Sequence, residues 1–290
     1  MDFSYKQLKK KSVPYVLLIP SMLFVIGVLG YGVIYGVVIS LFEVNVYSLE
    51  TPFVGLKNYI YIFQDPTFLN SLYKSLIFVF MSVVVGIILS LVFAIALYKL
   101  TIMKSFFKGL TLIPYLISGI AAATMFKFLF AGDVGMVNQF LSVFGMEEVL
   151  WLADEWLALF VIILANIWFV TPFAILILLA GLQGIDEQIF EAAKIDGASK
   201  LRIVFQIIIP LISSMIGVSL IWLSFASFNM FDIILPLTGG GPGRSTEVLA
   251  VYLYKLAFND LNYSMASAVM IVIMTLNLAV SFVYLKVFKV

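Results

Sequence analysis

The stretch from 186 to 197 reads DEQIFEAAKIDG, and the rest of the chain is arranged around it. Its two consecutive alanines, which are strong helix formers, predict a short helix that is capped by Asp186 and extends to Lys194. Because glycine tolerates a positive φ, Gly197 is predicted to make the turn that ends this helix. Small residues let another backbone approach closely, and Glu191 adds a charge to the same face. We interpret the stretch as a docking surface for a partner protein.

A wider pattern surrounds this stretch. Glu-Ala-Ala at 191–193 is followed by three residues, a glycine at 197, nine further residues and Ile-Ile-Ile-Pro at 207–210. The pattern resembles the signature loop of the membrane subunits of bacterial ABC importers, and only Ile209 departs from it, where leucine is usual. The run GLQGIDEQIFEAAKIDGASK is similar to the maltose-type sugar permeases, although Asp186 stands where that branch often has proline. The alternative is an ordinary amphipathic loop helix.

The resemblance implies an all-α integral membrane protein with six transmembrane helices and the type I ABC importer permease fold, in which residues 1–290 form one domain. It implies a second, different permease as heterodimer partner, two ATP-binding subunits, an extracytoplasmic solute-binding protein and a place in the bacterial cytoplasmic membrane. ATP and Mg²⁺ would belong to the ATP-binding subunits, and the chain itself is expected to bind no cofactor. A cytoplasmic coupling loop at 186–202 would dock on the ATPase through Glu191, Ala192, Ala193, Asp196 and Gly197.

Composition supports a membrane environment independently of the motif. The 290 residues are 63% hydrophobic and 11% charged, whereas soluble domains carry about 25% charged residues. The net charge of +1 offers no basic surface for nucleic acid. Because the chain has no cysteine or histidine, disulfides, thiolate nucleophiles, Ser-His triads and the usual zinc sites are excluded, and no catalytic or metal site is expected.

Six stretches are apolar for long enough to cross a bilayer, which needs about 20 residues. We predict spans at about 12–42, 75–98, 109–130, 157–185, 203–231 and 261–285. No alanine precedes Ala94, so the N-terminal apolar run has no Ala-x-Ala cleavage site and is expected to be retained as the first span. Pro114, Pro172 and Pro210 are predicted to kink their helices, either as hinges or as packing features.

Positive charge sets the predicted orientation. With the N-terminus inside, twelve Lys and Arg residues lie on the cytoplasmic side and five lie outside, in agreement with the positive-inside rule. Both termini and the loop at 186–202 are therefore expected in the cytoplasm. This orientation places the docking surface on the side of the membrane where ATP is available.

The chain offers no nucleotide-binding loop of its own. The outer segment TGGGPGRST at 238–246 contains four glycines and a proline, which predict an irregular turn. Arg244 and Thr238 stand where a Walker motif needs lysine and glycine. The span interiors lack the acidic and basic residues that proton- and sodium-coupled carriers usually need. The energy source is therefore expected in a separate ATPase, and the chain is expected not to be an enzyme.

Polar and aromatic residues in two spans mark a candidate sugar pathway. Asn166, Phe169 and Phe173 are spaced by three and four residues and are predicted to form one stripe of a helix. Positions 224, 227 and 231 in the next span are predicted to share a face. In the maltose-type permeases that the chain resembles, substrate contacts come from these two spans. The alternative is that these side chains only pack between helices. The candidates are Asn166, Phe169 and Phe173, followed by Ser224, Ser227, Asn229 and Phe231.

The expected function is that of a permease subunit forming half of the translocation pathway of an ATP-driven sugar or oligosaccharide importer. An importer of a non-sugar solute, such as a polyol or glycerol phosphate, would use the same machinery. An ATP-independent channel or scaffold would need no docking helix. A membrane enzyme would need a cluster of acids, bases or metal ligands near one interface, which the sequence does not provide.

Overall fold

The computed structural model describes residues 18–44 and 51–288. Within those ranges the regular structure is helical, with one antiparallel bridge between Phe42 and Phe53. The first half of the chain forms α1 (Leu18–Ser40), α2 (Lys57–Gln64), α3 (Pro66–Lys99), α4 (Lys104–Leu116), α5 (Gly119–Leu129) and α6 (Met136–Val143). The second half forms α7 (Glu155–Gln183), α8 (Glu187–Ile195), α9 (Lys200–Leu211), α10 (Ser213–Phe228), α11 (Ile234–Thr238), α12 (Leu249–Tyr254) and α13 (Tyr263–Phe288).

Four helices, α1, α3, α7 and α13, are each long and apolar enough to cross a membrane. Two bent pairs pass the same test together: α4 with α5, bent by 91°, and α9 with α10, bent by 77°. If each bent pair is one crossing, the described residues contain six crossings, one for each predicted span. The all-α multi-pass fold is thereby confirmed. Residues 12–17 of the first predicted span lie outside the described residues.

Helix α3 begins nine residues before the predicted second span. Asp65 caps it by accepting a hydrogen bond from the Thr67 N–H at 2.9 Å, and a proline fills the first helical position, where a missing N–H costs nothing. The prediction left out Lys74 because it is charged. In the structure this lysine is buried, with its ammonium 4.5 Å from the ring centroid of Trp156. A cation–π contact therefore accommodates the charge inside the helix.

The Asp65 carboxylate also ties the start of α3 to α12. Tyr252 donates a hydrogen bond to Asp65 Oδ2 at 2.7 Å, and the Leu249 N–H donates to Ser75 Oγ at 2.6 Å. Burial raises the pKa of the Asp65 carboxyl, but the hydrogen bonds from Tyr252 and Thr67 outweigh burial, and the pKa lies below its ordinary value. The carboxylate is thus held in its charged form, as an acceptor for both elements.

The third and fifth predicted spans are broken helices, and each break lies close to a proline, Pro114 or Pro210, at which the sequence predicted a kink. Helix α4 ends two residues after Pro114, and the Ser118 hydroxyl then caps α5. Pro210 lies two residues before Ile212, where α9 meets α10. Proline removes a ladder hydrogen bond and crowds the preceding turn, which accounts for both breaks. Helix α7, in contrast, continues through Pro172. The other predicted bounds differ from the helix ends by at most five residues.

A stripe of small residues lets α3 approach its neighbours closely. Ser82, Gly86, Ser90 and Ala94 recur every fourth residue and are all buried. A Cβ added at Gly86 would lie 3.4 Å from the Leu223 side chain of α10. In a bilayer, where apolar burial does not drive helix association, such close backbone packing is a main source of affinity between helices. The stripe therefore fixes α3 against α7 and α10.

Helix α7 lies at the centre of the bundle and packs against α3, α4, α5 and α10. One large apolar core surrounds it and includes Phe78 of α3 and Leu223 of α10. A second, smaller core joins the C-terminal halves of α3 and α7 to α9 through side chains such as Leu97 and Leu178. Phe190 of α8 packs against this second core. Helix α8, which contains the predicted docking residues, therefore packs against the second core of the bundle.

Candidate functional site

Helix α8 has the predicted cap and the predicted turn. Asp186 Oδ1 accepts a hydrogen bond from the Gln188 N–H at 3.0 Å. At the other end Gly197 has a φ of +72°. Its N–H donates to the Lys194 carbonyl at 3.1 Å, and the next N–H, of Ala198, donates to the Ala193 carbonyl at 2.9 Å. These two bonds form a Schellman motif, which needs a left-handed residue at the position of the glycine.

The predicted coupling residues differ in their exposure to solvent. Glu191, Ala192, Asp196 and Gly197 are exposed, whereas Ala193 is buried and faces the bundle. Next to them Ile195 is 87% exposed. Ile195 was not among the residues predicted from the sequence, although it is an apolar side chain between a lysine and an aspartate at a helix end. Ile195 adjoins Asp196 and Gly197 of the predicted docking surface and lies at the same end of the helix.

Two of the predicted pathway residues meet inside the bundle. Asn166 of α7 donates from Nδ2 to Ser227 Oγ of α10 at 2.9 Å, and both residues are fully buried. Asn166 Oδ1 has no hydrogen-bond partner within the part of the chain that the structure describes. A buried amide oxygen without a partner is costly, and the bond between Asn166 and Ser227 is also what the alternative of packing between helices predicts.

Phe169 and Phe173 belong to a larger aromatic cluster. Tyr115 of α4 lies 6.4 Å from Phe169 and 5.6 Å from Phe173, measured between ring centroids. Trp222 of α10 lies 4.5 Å from Phe173, and its indole N–H donates to the Val170 carbonyl at 3.2 Å. Tyr115 and Trp222 were not predicted from the sequence, because the bend after α4 and the crossing of α10 are needed to bring them beside α7.

The other three predicted pathway residues lie elsewhere. Ser224 donates to the Tyr284 hydroxyl of α13 at 3.4 Å. Asn229 donates back to the Phe225 carbonyl at 2.8 Å. Phe231 lies beyond the end of α10 and stacks on Tyr254 at 5.8 Å. Since α10 ends at Phe228, the helical face predicted for positions 224, 227 and 231 does not extend to the third of them.

The glycine-rich segment forms the irregular turn predicted for it. Gly239, Gly240 and Gly243 all have positive φ. The turn encloses Glu247, which is 1% exposed and forms ion pairs with Lys255 and, at 3.6 Å, with Arg244. Its sequence resembled a phosphate-binding loop only superficially, and its charged side chains pair with one another.

Comparison with known proteins identifies the family. Residues 66–288 match the family described as the binding-protein-dependent transport system inner membrane component. The chain belongs to this family. The permease is 36% identical to the trehalose/maltose transport system permease protein MalF of Thermococcus litoralis, over 94% of this chain and 92% of that one. It is 32% identical to the probable ABC transporter permease protein YurN of Bacillus subtilis, over 97% of both chains.

Another relative has a different type of solute in its name. The permease is 32% identical to the sn-glycerol-3-phosphate transport system permease protein UgpA of Pectobacterium atrosepticum, over 94% of this chain and 92% of that one. A crystal structure of a bacterial alginate ABC transporter contains a chain with the same fold, with a TM-score of 0.81, 21% identity and coverage of 97% of the permease and 95% of that chain. The type I ABC permease fold is thereby confirmed. The chain is a multi-pass, inner-membrane permease subunit of a binding-protein-dependent importer.

Proposed function

We propose that this permease forms half of the translocation pathway of an ATP-driven importer for a neutral sugar or oligosaccharide. The observation that carries the proposal is the group of side chains between α4, α7 and α10. Aromatic rings suit the C–H faces of a sugar, while the Asn166 amide and the Ser227 hydroxyl suit its hydroxyl groups. The named MalF relative is a permease for trehalose and maltose, which supports the same solute class here.

The proposed assembly contains this chain, a second and different permease, two ATP-binding subunits and an extracytoplasmic solute-binding protein. ATP and Mg²⁺ act on the ATP-binding subunits, so this chain catalyses no reaction. The exposed face of α8, with Glu191, Ala192 and Ile195, docks on an ATP-binding subunit. Closure of the two ATP-binding subunits moves α8, and the second core transmits that motion to α3, α7 and α9.

Glycerol phosphate is the second candidate solute, because the UgpA relative is a permease for it. A phosphate ester needs cations or aligned N–H groups in the pathway. The six side chains proposed for the pathway are uncharged, which favours a neutral solute. They are Asn166, Ser227, Phe169, Phe173, Tyr115 and Trp222.

Reconstitution of the whole importer tests the proposed function. The chain is co-purified with the second permease, ATP-binding subunit and binding protein that are encoded beside it. Uptake into proteoliposomes is then measured with a labelled disaccharide and with labelled glycerol 3-phosphate. We expect the disaccharide to accumulate only when ATP is present. Uptake of the phosphate ester alone would support the second candidate, and solute movement without ATP would support a channel.

Replacing Phe173 with alanine is expected to reduce disaccharide uptake about fivefold. The ring packs 4.5 Å from Trp222, and loss of a stacked aromatic face removes on the order of 1 kcal/mol of contact. The measurement is the concentration dependence of uptake, together with the amount of assembled complex. Phe160→Ala is the control, because this phenylalanine of the same helix is 50% exposed and lies outside the cluster. Equal uptake by both variants would make Phe173 a packing residue.

Single cysteines test the proposed orientation, since the chain has no cysteine of its own. Cysteines placed at Lys104 and Lys194 are expected to react with a membrane-impermeant maleimide only from the cytoplasmic side. A cysteine placed at Glu148 is expected to react only from the outside. The excess of positive charge on the predicted cytoplasmic side is the physical reason. The cysteine-free protein is the control, and labelling of position 194 from the outside would reverse the topology.

A further inference from the structure

A cavity of about 480 Å³ lies where the C-terminal end of α3 meets α8 and the beginning of α9. Its volume falls within the range of about 300–1,000 Å³ that is typical of ligand pockets. Much of its wall is apolar and consists of Ile95 from α3, Phe190 from α8 and Ile203, Val204 and Ile208 from α9. The cavity is therefore a cleft between three helices, and its wall suits an aliphatic chain.

Charge is concentrated on the polar part of the same wall. Lys99, Lys194 and Lys200 line the cavity together with a single carboxylate, Glu187. None of these four side chains takes part in an ion pair within 4 Å among the residues that the structure describes. The cavity thus presents three ammonium groups against one carboxylate, which leaves an excess of positive charge that an anion would neutralise.

The cavity also lies at the depth expected for lipid headgroups. Lys99 is the last residue of α3, and α3 is one of the helices long and apolar enough to cross the membrane. Residues at the end of a crossing helix meet the interface between acyl chains and water. A phosphate placed among the three amines would have the apolar wall directly beside it, in the direction of the bilayer.

We propose that this cavity binds one anionic phospholipid, with its phosphate among the amines of Lys99, Lys194 and Lys200. The upper part of one acyl chain lies along the apolar wall formed by Ile95, Ile203 and neighbouring side chains of α9. Basic pockets between transmembrane helices on the cytoplasmic side are a known setting for anionic headgroups. A free phosphate ion would use the amines but would leave the apolar wall in contact with water, so the wall favours a lipid.

The lipid site and the proposed docking surface lie on adjacent faces of α8, and Glu191 stands between them, four residues after Glu187 and three before Lys194. Positions 187, 190 and 194 follow each other by three and four residues and therefore lie on one stripe, which faces the cavity. Ala192 and Ile195 are exposed and do not line it. A lipid in the cavity contacts α3, α8 and α9 at once and leaves Ala192 and Ile195 open to a partner. The lipid thereby reinforces the contact between α8 and α3, where the ring centroids of Phe190 and Tyr98 lie 6.0 Å apart.

Lipid titration of the purified full-length chain tests this proposal. The chain is freed of native lipid in detergent and titrated with phosphatidylglycerol or with phosphatidylcholine of the same acyl chains, and bound lipid is counted by native mass spectrometry. We expect one phosphatidylglycerol to bind in preference to phosphatidylcholine. The triple variant Lys99→Gln, Lys194→Gln, Lys200→Gln is expected to bind it about a hundredfold more weakly, since each amine near an anionic headgroup contributes about a factor of five.

Two matched variants separate this site from general attraction between charges. Replacing Lys57, Lys108 and Lys127 with glutamine removes the same charge away from the cavity and is expected to leave the tight site intact. Arginine at the three cavity positions keeps the charge and is expected to retain binding, which a merely structural role of the lysines would not require. Equal binding of the two lipids, unchanged binding by the triple glutamine variant, or displacement of the lipid by millimolar inorganic phosphate would each overturn the proposal.

Discussion

Uptake by the reconstituted importer is expected to fall at least tenfold when Glu191 is replaced by lysine. The carboxylate is exposed on α8, and in the proposed assembly it pairs with a cation of the ATP-binding subunit. Truncating one partner of a buried interfacial charge pair typically costs roughly 2–5 kcal/mol, and a lysine in its place adds repulsion. Glu191→Ala is therefore expected to have a smaller effect than Glu191→Lys. The measurements are co-purification of the ATP-binding subunit, ATP hydrolysis and uptake.

A proline at Gly197 is expected to abolish coupled uptake and to be more damaging than Glu191→Ala. The glycine has a φ of +72°, whereas proline is restricted to a φ near −65°. Proline also lacks the N–H that Gly197 donates to the Lys194 carbonyl. The end of α8 would have to rearrange, and the docking face would change shape. We expect the chain to insert into the membrane normally while ATP hydrolysis is lost or no longer drives uptake.

The chain offers matched controls for both coupling variants. Gly145 has a φ of +70° and, like Gly197, has open space where a Cβ would lie, but it belongs to the loop after α6. Gly145→Pro therefore imposes the same backbone conflict away from α8 and is expected to leave uptake largely intact. Glu147→Lys makes the same change of charge on an exposed residue of that loop. If Glu191→Lys and Gly197→Pro keep wild-type uptake, α8 is not the coupling element.

Replacing Glu247 with alanine is expected to cause the largest loss of stability among single charge deletions in the described part of the chain. The Glu247 side chain is 2% exposed and pairs with Lys255, whose side chain is 29% exposed, and with Arg244. Removing one member of a buried pair leaves the other charge desolvated without a partner. Because Lys255 keeps some contact with solvent, we expect a loss of roughly 2–4 kcal/mol in the free energy of unfolding.

The thermal unfolding midpoint of the purified chain measures this loss. Glu43→Ala is the control, because Glu43 and Lys57 form an ion pair at 3.8 Å with side chains 60% and 49% exposed. Such an exposed pair contributes about 0–1 kcal/mol, so its midpoint is expected to stay near that of the wild type. Methionine at both Glu247 and Lys255 removes both charges of this pair and is expected to recover part of the loss. Equal midpoints for Glu247→Ala and Glu43→Ala would contradict this account.

Much of the candidate docking site was predictable because its signals are local. The cap by Asp186 and the left-handed turn at Gly197 depend on residues within one or two helical turns, and both are present as predicted. Even so, which alanine of the pair faces the bundle depends on how α8 lies on the second core. The burial of Ala193 and the exposure of Ala192 were therefore not readable from composition or spacing.

The candidate pathway was predictable only in part, because its members come from separate helices. The stripe of Asn166, Phe169 and Phe173 follows from helical spacing, and the bond from Asn166 to Ser227 shows that the two spans pack together, while contact with a solute stays a prediction. Tyr115 joins the cluster because α4 bends away after Pro114. Ser224 faces α13 because of the rotation of α10 within the bundle. The spacing of residues along the sequence does not predict how α10 is rotated within the bundle.

The sequence by itself indicated the membrane environment, six apolar runs long enough to cross it, and the position of α8, the proposed docking helix. These follow from the excess of apolar residues, from the lengths of the apolar runs and from a motif whose helix and turn are stabilised by near neighbours. The tertiary structure alone decided the burial of Lys74 against Trp156 and the hydrogen bond from Tyr252 to Asp65. Each depends on contacts between residues far apart in the chain, and those contacts are set by close packing of helices, which local propensities do not encode.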